Sequence, residues 1–320
     1  MPEKVLVTGA TGFVGRVLVR SLVGTDNSIT VAVRGESVSS SKKVKPCFIT
    51  SISAETDWTE ALQSVTVVVH LAGRAHVMND DVSDPLSTFR EVNTAGTIKL
   101  ARDAAEAGVR RFVFISSVKV NGGMTEDVSF SEGDECIPTD PYGLSKYEAE
   151  QCLLKLAKET DIEVVIIRPP LVYGPGVRAN FALMMRWVNK RVPLPLGGVH
   201  NRRSLVGIDN LVSFINLCIE HPKAANEIFL ISDGEDVSTT ELLDKLANAF
   251  GKRSLLLPIP VRLMTFAAKL VGKADVANRL FGSLQVDSSK ARELLGWKPV
   301  ITMDEQLKKT AETYLNEKTV

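Results

Sequence analysis

Short apolar runs rich in β-branched residues alternate along this chain with longer stretches whose apolar spacing suits helices. The runs begin at Val5, Ile29, Cys47, Val65, Arg111 and Glu163. Near-continuous apolar runs are typical of strands that are covered on both faces, as in a parallel sheet. Because strands that alternate with helices form βαβ units, the sequence predicts an α/β fold with a doubly wound parallel sheet.

A glycine-rich turn, TGATGFVG, follows the first run and opens a helix at Phe13. Gly9, Gly12 and Gly15 allow a tight turn and let the backbone approach a pyrophosphate, which would then lie at the helix N-terminus. A glycine triplet alone is a weak signal, but a place between strand and helix is the context that dinucleotide binding requires. The turn therefore predicts a Rossmann-type dinucleotide site.

The pattern changes after Arg168, where proline-rich turns separate shorter elements. We expect a large dinucleotide-binding domain formed by residues 1–172 together with about 207–226. Residues 173–206 and 227–320 are expected to form a smaller, irregular α/β domain that binds the substrate. A chain of 320 residues is long enough for both domains.

The choice of dinucleotide depends on the residue that follows the second strand. An acidic residue about 20 positions past the glycine turn would bind the ribose 2′-hydroxyl of NAD. This chain has Arg34 there, and a guanidinium suits the 2′-phosphate of NADP better. The sequence thus favours NADP slightly, while an arginine that stacks on adenine would also accept NAD.

Three residues predict proton-transfer chemistry. Tyr142 and Lys146 stand four positions apart in YGLSK, a spacing that places both side chains on one helix face. The pKa of a free phenol is about 10, and we expect the Lys146 ammonium and a positive nicotinamide ring to lower it. Tyr142 would then move a proton while hydride passes between the substrate carbon and the cofactor. Ser117, at the end of the RFVFISS run, would hydrogen-bond the same substrate oxygen, with Ser116 as the alternative serine.

Charge and composition argue against several other classes. Lys plus Arg and Asp plus Glu both number 38, and a zero balance argues against a nucleic acid or an anionic membrane as partner. No apolar run reaches the ~20 residues of a membrane span. In the most apolar late stretch, 255–271, prolines and cations favour a packed amphipathic helix over a helix on a membrane surface.

The four cysteines have no CxxC spacing, and none of the four histidines shows ligand spacing. The sequence therefore predicts neither a disulfide framework nor a metal site. Reduced thiols fit a cytoplasmic protein.

Taken together, the motifs TGATGFVG, HLAG, ISSV, YGLSK, RPPLVYGPG and SSKARELLGWKP resemble those of an extended short-chain dehydrogenase/reductase. The family is that of the NAD-dependent nucleotide-sugar epimerases and dehydratases, and the resemblance covers nearly the whole chain. It implies a UDP-sugar substrate. It also implies a homodimer formed through the helices at 85–107 and 142–160.

The resemblance also implies particular site residues. Besides Arg34, Tyr142 and Lys146, it places the cofactor against Gly9, Gly12, Phe13, Val14, Gly15, Leu71, Ala72, Gly73, Asn93, Arg168, Pro169 and Val172. It places the substrate against Arg74, His76, Ser117, Asn180, Arg203 and Arg279. For Arg203 and Arg279 a surface ion pair is the alternative.

Two departures from the family pattern bear on the reaction. The family's 4,6-dehydratases carry an Asp-Glu pair just after the catalytic strand, whereas this chain reads Ser117-Val118-Lys119-Val120, which disfavours dehydration. The stretch Arg74 to Met78 is similar to a loop in bacterial surface-polysaccharide enzymes that act at C4 of UDP-N-acetylhexosamines.

The expected function is NAD(P)-dependent redox chemistry at C4 of a UDP-hexose, either as a 4-epimerase or as a 4-ketoreductase. An alternative is a reductase of a small hydrophobic carbonyl compound, against which the GWKP-type C-terminus argues. A non-catalytic dinucleotide-sensing protein is a further alternative. Such a protein has no chemical need for a serine, a tyrosine and a lysine at these spacings.

Overall fold

A seven-stranded parallel sheet organises the chain. The computed structural model describes residues 2–35, 41–74, 84–134, 137–270, 272, 277 and 280–317. The strands are β1 (Lys4–Thr8), β2 (Ser28–Val33), β3 (Val44–Phe48), β4 (Val67–His70), β5 (Arg111–Ile115), β6 (Glu163–Arg168), β7 (Leu171–Tyr173), β8 (Arg203–Gly207), β9 (Ile228–Leu230) and β10 (Asp236–Val237). The large sheet has the order β3-β2-β1-β4-β5-β6-β9, and each neighbouring pair in it is parallel. The predicted doubly wound parallel sheet is confirmed.

Helices cover this sheet on both faces. The helices of the described residues are α1 (Phe13–Val23), α2 (Pro85–Phe89), α3 (Gly96–Glu106), α4 (Pro141–Glu159), α5 (Ala179–Asn189), α6 (Ile208–Glu220), α7 (Thr239–Ala249), α8 (Val261–Leu270), α9 (Ser289–Leu295) and α10 (Met303–Asn316), with a π-helix at Arg90–Ala95 and short 3-10 helices at Val118–Val120 and Pro222–Ala224. On one face of the sheet lie α1 and α6, and on the other α3 and α4. No helix among the described residues is long and apolar enough to cross a membrane.

The core lies on both faces of the sheet because successive strand residues point in opposite directions. In β1, Val5 and Val7 join a cluster with residues of α1 and α6, whereas Leu6 joins a cluster with residues of α3 and α4. Each strand must therefore be apolar at nearly every position. This requirement is the physical origin of the continuous apolar runs.

The sequence predicts two helix starts, an N-cap at Asp84 before Pro85 and a capping box of Ser238 with Glu241. The Asp84 carboxylate caps α2 by accepting from the Ser87 amide at 3.1 Å. Ser238 and Glu241 form a reciprocal capping box at the start of α7. Both predicted caps are confirmed, and each satisfies amides that the first helical turn leaves without a partner.

A second, three-stranded sheet has the order β10-β8-β7 and belongs to the smaller part of the chain. Its core cluster joins Phe181 of α5, Leu243 of α7 and Leu307 of α10. The strand β9 lies within the range predicted for the substrate domain, yet it pairs with β6 at the edge of the large sheet. The strand β9 has only three residues, which is too few for an apolar periodicity to predict a strand. The domain boundaries otherwise stay a prediction.

A buried ion pair fixes α4 against the large sheet. The Arg168 guanidinium, at the end of β6, lies 2.5 Å from the Glu150 carboxylate of α4, and the two side chains are only 5% and 0% exposed. Arg168 also donates to Asn121 Oδ1 at 3.1 Å. Since α4 carries Tyr142 and Lys146, this pair contributes to the placement of the candidate catalytic residues.

Glu150→Gln should lower the free energy of unfolding by about 3–5 kcal/mol, because it leaves the Arg168 charge buried without a carboxylate. Glu148→Gln is the matched control. It removes the half-buried carboxylate that pairs with the exposed Arg90, two residues earlier in α4, and should cost no more than about 1 kcal/mol. Urea unfolding of both variants measures the difference, and equal losses would contradict a structural role for the buried pair.

Candidate active site

The glycine turn lies directly against the end of β4. Gly9 has a φ of +69°, and a Cβ there would lie 2.7 Å from the Ala72 amide nitrogen. A Cβ on Gly15 would lie 2.1 Å from the Gly9 carbonyl oxygen, so α1 begins in contact with the turn. The turn is closed by the Gly12 amide, which donates to the Gly9 carbonyl at 2.9 Å.

The N-terminus of α1 is suited to an anion. Gly12 holds the N-cap position, so no side chain caps the helix, and the first-turn amides of Phe13 and Val14 follow it directly. Such amides, with the positive end of the helix dipole, are the groups that bind a pyrophosphate. Arg34 is exposed just after β2, the neighbouring strand. These residues fit a dinucleotide whose pyrophosphate lies at α1 and whose adenosine lies near β2.

A buried histidine, His70, ties the glycine turn to the rest of the sheet edge. Its Nδ1 lies 2.7 Å from Thr8 Oγ1, and its Nε2 lies 3.0 Å from Thr97 Oγ1. Thr8 Oγ1 also accepts from the Ala72 amide at 3.2 Å. Burial, and secondarily the charge of Lys146, lower the pKa of His70 to about 3, so the imidazole is neutral.

The Leu71-Ala72-Gly73 segment is held at its far end by Asn93. The Asn93 amide accepts from the Arg74 backbone amide at 2.8 Å and donates to the Arg74 carbonyl at 3.1 Å. It also donates to Ser145 Oγ in α4 at 3.1 Å. Asn93 lies in the π-helix Arg90–Ala95, a distortion that is frequent at functional sites.

Tyr142 and Ser117 meet at the carboxyl end of β5. The Ser117 hydroxyl lies close enough to Tyr142 to lower the pKa of the phenol through a hydrogen bond, and Ser117 Oγ accepts from the Lys119 amide at 3.2 Å. Burial raises the pKa of Tyr142, the hydrogen bond from Ser117 lowers it, and the charge of Asp140 raises it further. The expectation that Lys146 lowers this pKa is therefore wrong for the structure described here, because desolvation dominates and Lys146 is not among the groups that shift it.

Lys146 points toward the sheet edge. Its Nζ donates to the Ile115 carbonyl at 3.0 Å and lies 4.4 Å above the Phe114 ring. A Cβ on Gly73 would lie 3.3 Å from the same nitrogen. Burial lowers the pKa of Lys146 to about 8, while the Glu150 carboxylate raises it. The ammonium thus occupies the space between β5 and the Leu71-Ala72-Gly73 segment.

The segment after β6 is anchored to the catalytic strand. The Pro169 carbonyl accepts from the Val118 amide at 3.0 Å, which places this segment beside Ser117. Val172 is half-buried in β7. The Arg168 guanidinium is engaged by Glu150 and Asn121, so its backbone rather than its charge is left for a neighbouring cofactor.

Two of the predicted substrate residues, Asn180 and Arg203, lie in the smaller part of the chain. Arg203 begins β8 and donates to the Gly282 carbonyl at 3.2 Å, and burial lowers its pKa. Asn180 is exposed near the start of α5. His76 and Arg279 lie outside the described residues. The structure therefore brings the cofactor and Ser-Tyr-Lys residues together, and the substrate contacts stay predictions.

Sequence reasoning overlooked several residues that build this site. His70, Thr8 and Ser145 stand in the motifs HLAG, TGATGFVG and YGLSK, but the motifs predict no role for them, nor does the sequence predict one for Thr97. A buried polar residue at a strand end is the one signal that could have drawn attention to His70.

The fold and the grouped serine, tyrosine and lysine define an α/β enzyme of the short-chain dehydrogenase type. The family model described as Epimerase, the NAD dependent epimerase/dehydratase family, matches residues 5–232. The chain is 51% identical over 319 residues to a UDP-glucose 4-epimerase of Vibrio cholerae, which covers 98% of this chain and 96% of the relative. The chain therefore belongs to the NAD-dependent epimerase/dehydratase family.

Solved structures show the same fold at low identity. UDP-glucuronic acid 4-epimerase from Bacillus cereus in complex with NAD has a TM-score of 0.79 at 23% identity, over 98% of this chain and 99% of that one. UDP-glucose 4-epimerase from Thermotoga maritima with UDP-glucose has a TM-score of 0.76 at 23% identity, over 98% and 99% of the two chains. The likeness thus extends through both parts of the chain.

Gly15→Ala should weaken dinucleotide binding by at least about tenfold. The added methyl would lie 2.1 Å from the Gly9 carbonyl oxygen, so the N-terminus of α1 must move away from the turn. Gly133→Ala is the control, since no atom lies within 4 Å of its added Cβ. Calorimetric titration with NAD and NADP measures the affinities, and unchanged affinity in Gly15→Ala would contradict the assigned role of the turn.

Proposed function

We propose that this enzyme carries out redox chemistry at C4 of a UDP-hexose, as a nucleotide-sugar 4-epimerase. The observation that carries the proposal is the placement of Ser117, at the carboxyl end of β5, beside Tyr142, in the first turn of α4. These two residues lie on the same edge of the sheet as the glycine turn and the Lys146 ammonium. The relative from Vibrio cholerae, called a UDP-glucose 4-epimerase, supports the choice of substrate and of the C4 position.

The proposed chemistry needs one proton site that works in both directions. Bound NAD supplies the hydride acceptor. Tyr142 takes the proton of the C4 hydroxyl as hydride leaves C4, and Ser117 donates a hydrogen bond to the same oxygen. The resulting 4-keto sugar turns within the site, hydride returns to its other face, and Tyr142 gives the proton back. Atoms and electrons balance, because the two half-reactions are each other's reverse.

The electrostatics of the site favour transient rather than permanent ionisation of Tyr142. Burial raises its pKa, so the phenol must release its own proton before it can accept that of the C4 hydroxyl. The hydrogen bond from Ser117 opposes this effect. A positive nicotinamide ring would act in the same direction as Ser117. A bound positive ring would thus favour the phenolate, whose proton leaves to solvent, and the phenolate would then accept the proton of the C4 hydroxyl.

Dehydration is disfavoured by the residues that follow Ser117. Val118 is buried and Lys119 is half-buried in the short 3-10 helix, where a dehydratase of this family would carry an acidic pair. Neither side chain can remove a proton as a carboxylate does. The proposed reaction therefore stops at oxidation and reduction of C4.

A 4-ketoreductase that uses NADPH is the second candidate. The observation that favours it is Arg34, which is exposed after β2, where a guanidinium can bind a 2′-phosphate. In this reaction hydride moves once, from the cofactor to C4 of a 4-keto sugar, and Tyr142 donates the proton. We propose NAD for the epimerase and NADP for the reductase.

We also propose a cytoplasmic homodimer. The predicted contact elements, by resemblance to the family, are the helical segments 85–107, which holds α2, the π-helix and α3, and 142–160, which holds most of α4. The described cysteines Cys47, Cys152 and Cys218 are free thiols, which supports a reducing compartment.

Incubation with UDP-glucose and UDP-N-acetylglucosamine tests the proposed reaction. The epimerase should interconvert either sugar with its C4 epimer without net consumption of cofactor. A 4-keto-6-deoxy derivative with NADPH provides the comparison, because only a ketoreductase would consume NADPH in proportion to the keto sugar. The absence of both reactions would contradict C4 chemistry on UDP-hexoses.

Tyr142→Phe should lower turnover by about 10³-fold, because it removes the only hydroxyl proposed to carry the proton. Dinucleotide affinity should stay near that of the unmodified enzyme. Tyr147→Phe, one helical turn away in α4 and half-buried, is the matched control and should keep its turnover. Steady-state rates of the unmodified enzyme and the two variants test the role of the Tyr142 hydroxyl. Full activity in Tyr142→Phe would exclude the mechanism.

A further inference from the structure

The helix α8 presents an apolar stripe to solvent. Leu263, Phe266 and Leu270 are 61%, 63% and 72% exposed. At 3.6 residues per turn these three side chains fall within about 60° of one another around the helix. On the opposite side, Val261 and Met264 pack against the core of the smaller part of the chain. One apolar face of the helix thus packs against the core, and a second apolar face is exposed to solvent. Single exposed hydrophobic residues are common on protein surfaces, whereas an exposed apolar stripe marks an interaction site.

Two paired segments of the smaller part of the chain, one of which precedes α8 in sequence, also carry exposed apolar residues. Leu255 and Leu257, which precede α8, are 38% and 50% exposed. They flank a pairing with Leu194, whose amide donates to the Leu255 carbonyl at 2.9 Å and whose carbonyl accepts from the Leu257 amide at 2.8 Å. Val192, two residues before Leu194, is 37% exposed. We define the α8 patch as Val192, Leu255, Leu257, Leu263, Phe266 and Leu270.

The α8 patch lies in a part of the chain that carries only positive charge. Residues 174–208 contain six Lys and Arg residues, residues 251–270 contain four, and neither segment contains Asp or Glu. The cations next to the patch are exposed: Lys190, Arg191, Arg253, Arg262 and Lys269. The zero net charge of the whole chain therefore conceals a positive excess in these two segments. One acidic residue from outside them reaches this surface, because Asp244 of α7 accepts a hydrogen bond from Ser254, next to Leu255. The overall charge thus does not decide whether this surface binds an anionic membrane.

We propose that the α8 patch binds the surface of an anionic phospholipid bilayer. A helix with an apolar face and flanking cations lies in the plane of the interface, where its apolar side chains enter the boundary between headgroups and acyl chains. The cations then lie near the lipid phosphates, which attract them. On the helix, Arg262 and Lys269 stand on one flank of the Leu263-Phe266-Leu270 stripe, so stripe and charges can meet one flat surface together.

The same observations disfavour other occupants. A nucleic acid would engage the cations but would leave the apolar stripe in water, because its affinity comes from phosphate contacts. A second copy of this chain in a symmetric contact would bring two positive surfaces together, and like charges repel across an interface. The contact is peripheral, since the ten residues of α8 are too few to span a bilayer. It uses no residue of the candidate active site and does not depend on the proposed substrate.

Co-sedimentation of the full-length protein with vesicles tests this proposal. The protein should bind vesicles of phosphatidylcholine mixed with phosphatidylglycerol and should bind phosphatidylcholine vesicles much more weakly. The double variant Leu263→Ser/Phe266→Ser should bind the mixed vesicles at least about tenfold more weakly. The double variant Arg262→Gln/Lys269→Gln should lose about tenfold or more, since each cation near such a surface attracts it independently.

Matched controls lie outside the patch. Val300→Ser changes a residue that is 64% exposed, and Lys155→Gln/Lys308→Gln removes two exposed cations; both proteins should bind as the unmodified chain does. Equal binding to both vesicle types, no binding to either, or full binding by the Leu263→Ser/Phe266→Ser variant would overturn the proposal. So would self-association in ultracentrifugation that the same variant abolishes, or tight binding to duplex DNA that it retains. Thermal melting of each variant checks that the fold is intact.

Discussion

The parallel register of β1, β4 and β5 is the constraint on which the site depends. It sets Thr8 opposite His70, and His70 opposite Phe114. One line of contacts then runs across the sheet edge: Thr8 to His70 by a hydrogen bond, His70 to Phe114 by ring stacking, and Phe114 to the Lys146 ammonium. A shift of one residue between any two of these strands would turn the contacting side chains to opposite faces. The glycine turn and the candidate catalytic lysine are therefore positioned by the same register.

Local patterns predicted the parts of the fold that local chemistry decides. The apolar runs, the glycine turn at Gly9 and the capping box at Ser238 depend on residues close together in sequence. The hydrogen bonds of His70 and those between Asn93 and the Arg74 backbone join elements that are far apart in sequence. The periodicity of apolar residues does not show which elements pack together. The pKa of Tyr142 could not be predicted from the sequence either. The sequence shows that Tyr142 and Lys146 are four residues apart, but it does not show the burial that raises the pKa of Tyr142.

The net charge of the whole chain likewise differs from the charge of its individual surfaces. The balance of 38 basic and 38 acidic residues describes no particular surface. Acidic residues are missing from both segments that form the α8 patch, whereas the helix α4 buries Glu150 as the partner of Arg168. Where each charge lies, rather than how many there are, decides what a surface can bind. A nucleotide-sugar enzyme built this way would keep its catalytic edge and its bilayer-facing surface on separate elements.

The central claim is that hydride leaves C4 of the sugar and returns to the same carbon within one binding event. The most direct test uses a UDP-hexose that carries deuterium at C4. The account predicts that the epimer formed retains the deuterium at C4 and that its formation shows a primary isotope effect. Loss of the deuterium to solvent, or its retention with no isotope effect and full activity in Tyr142→Phe, would contradict it.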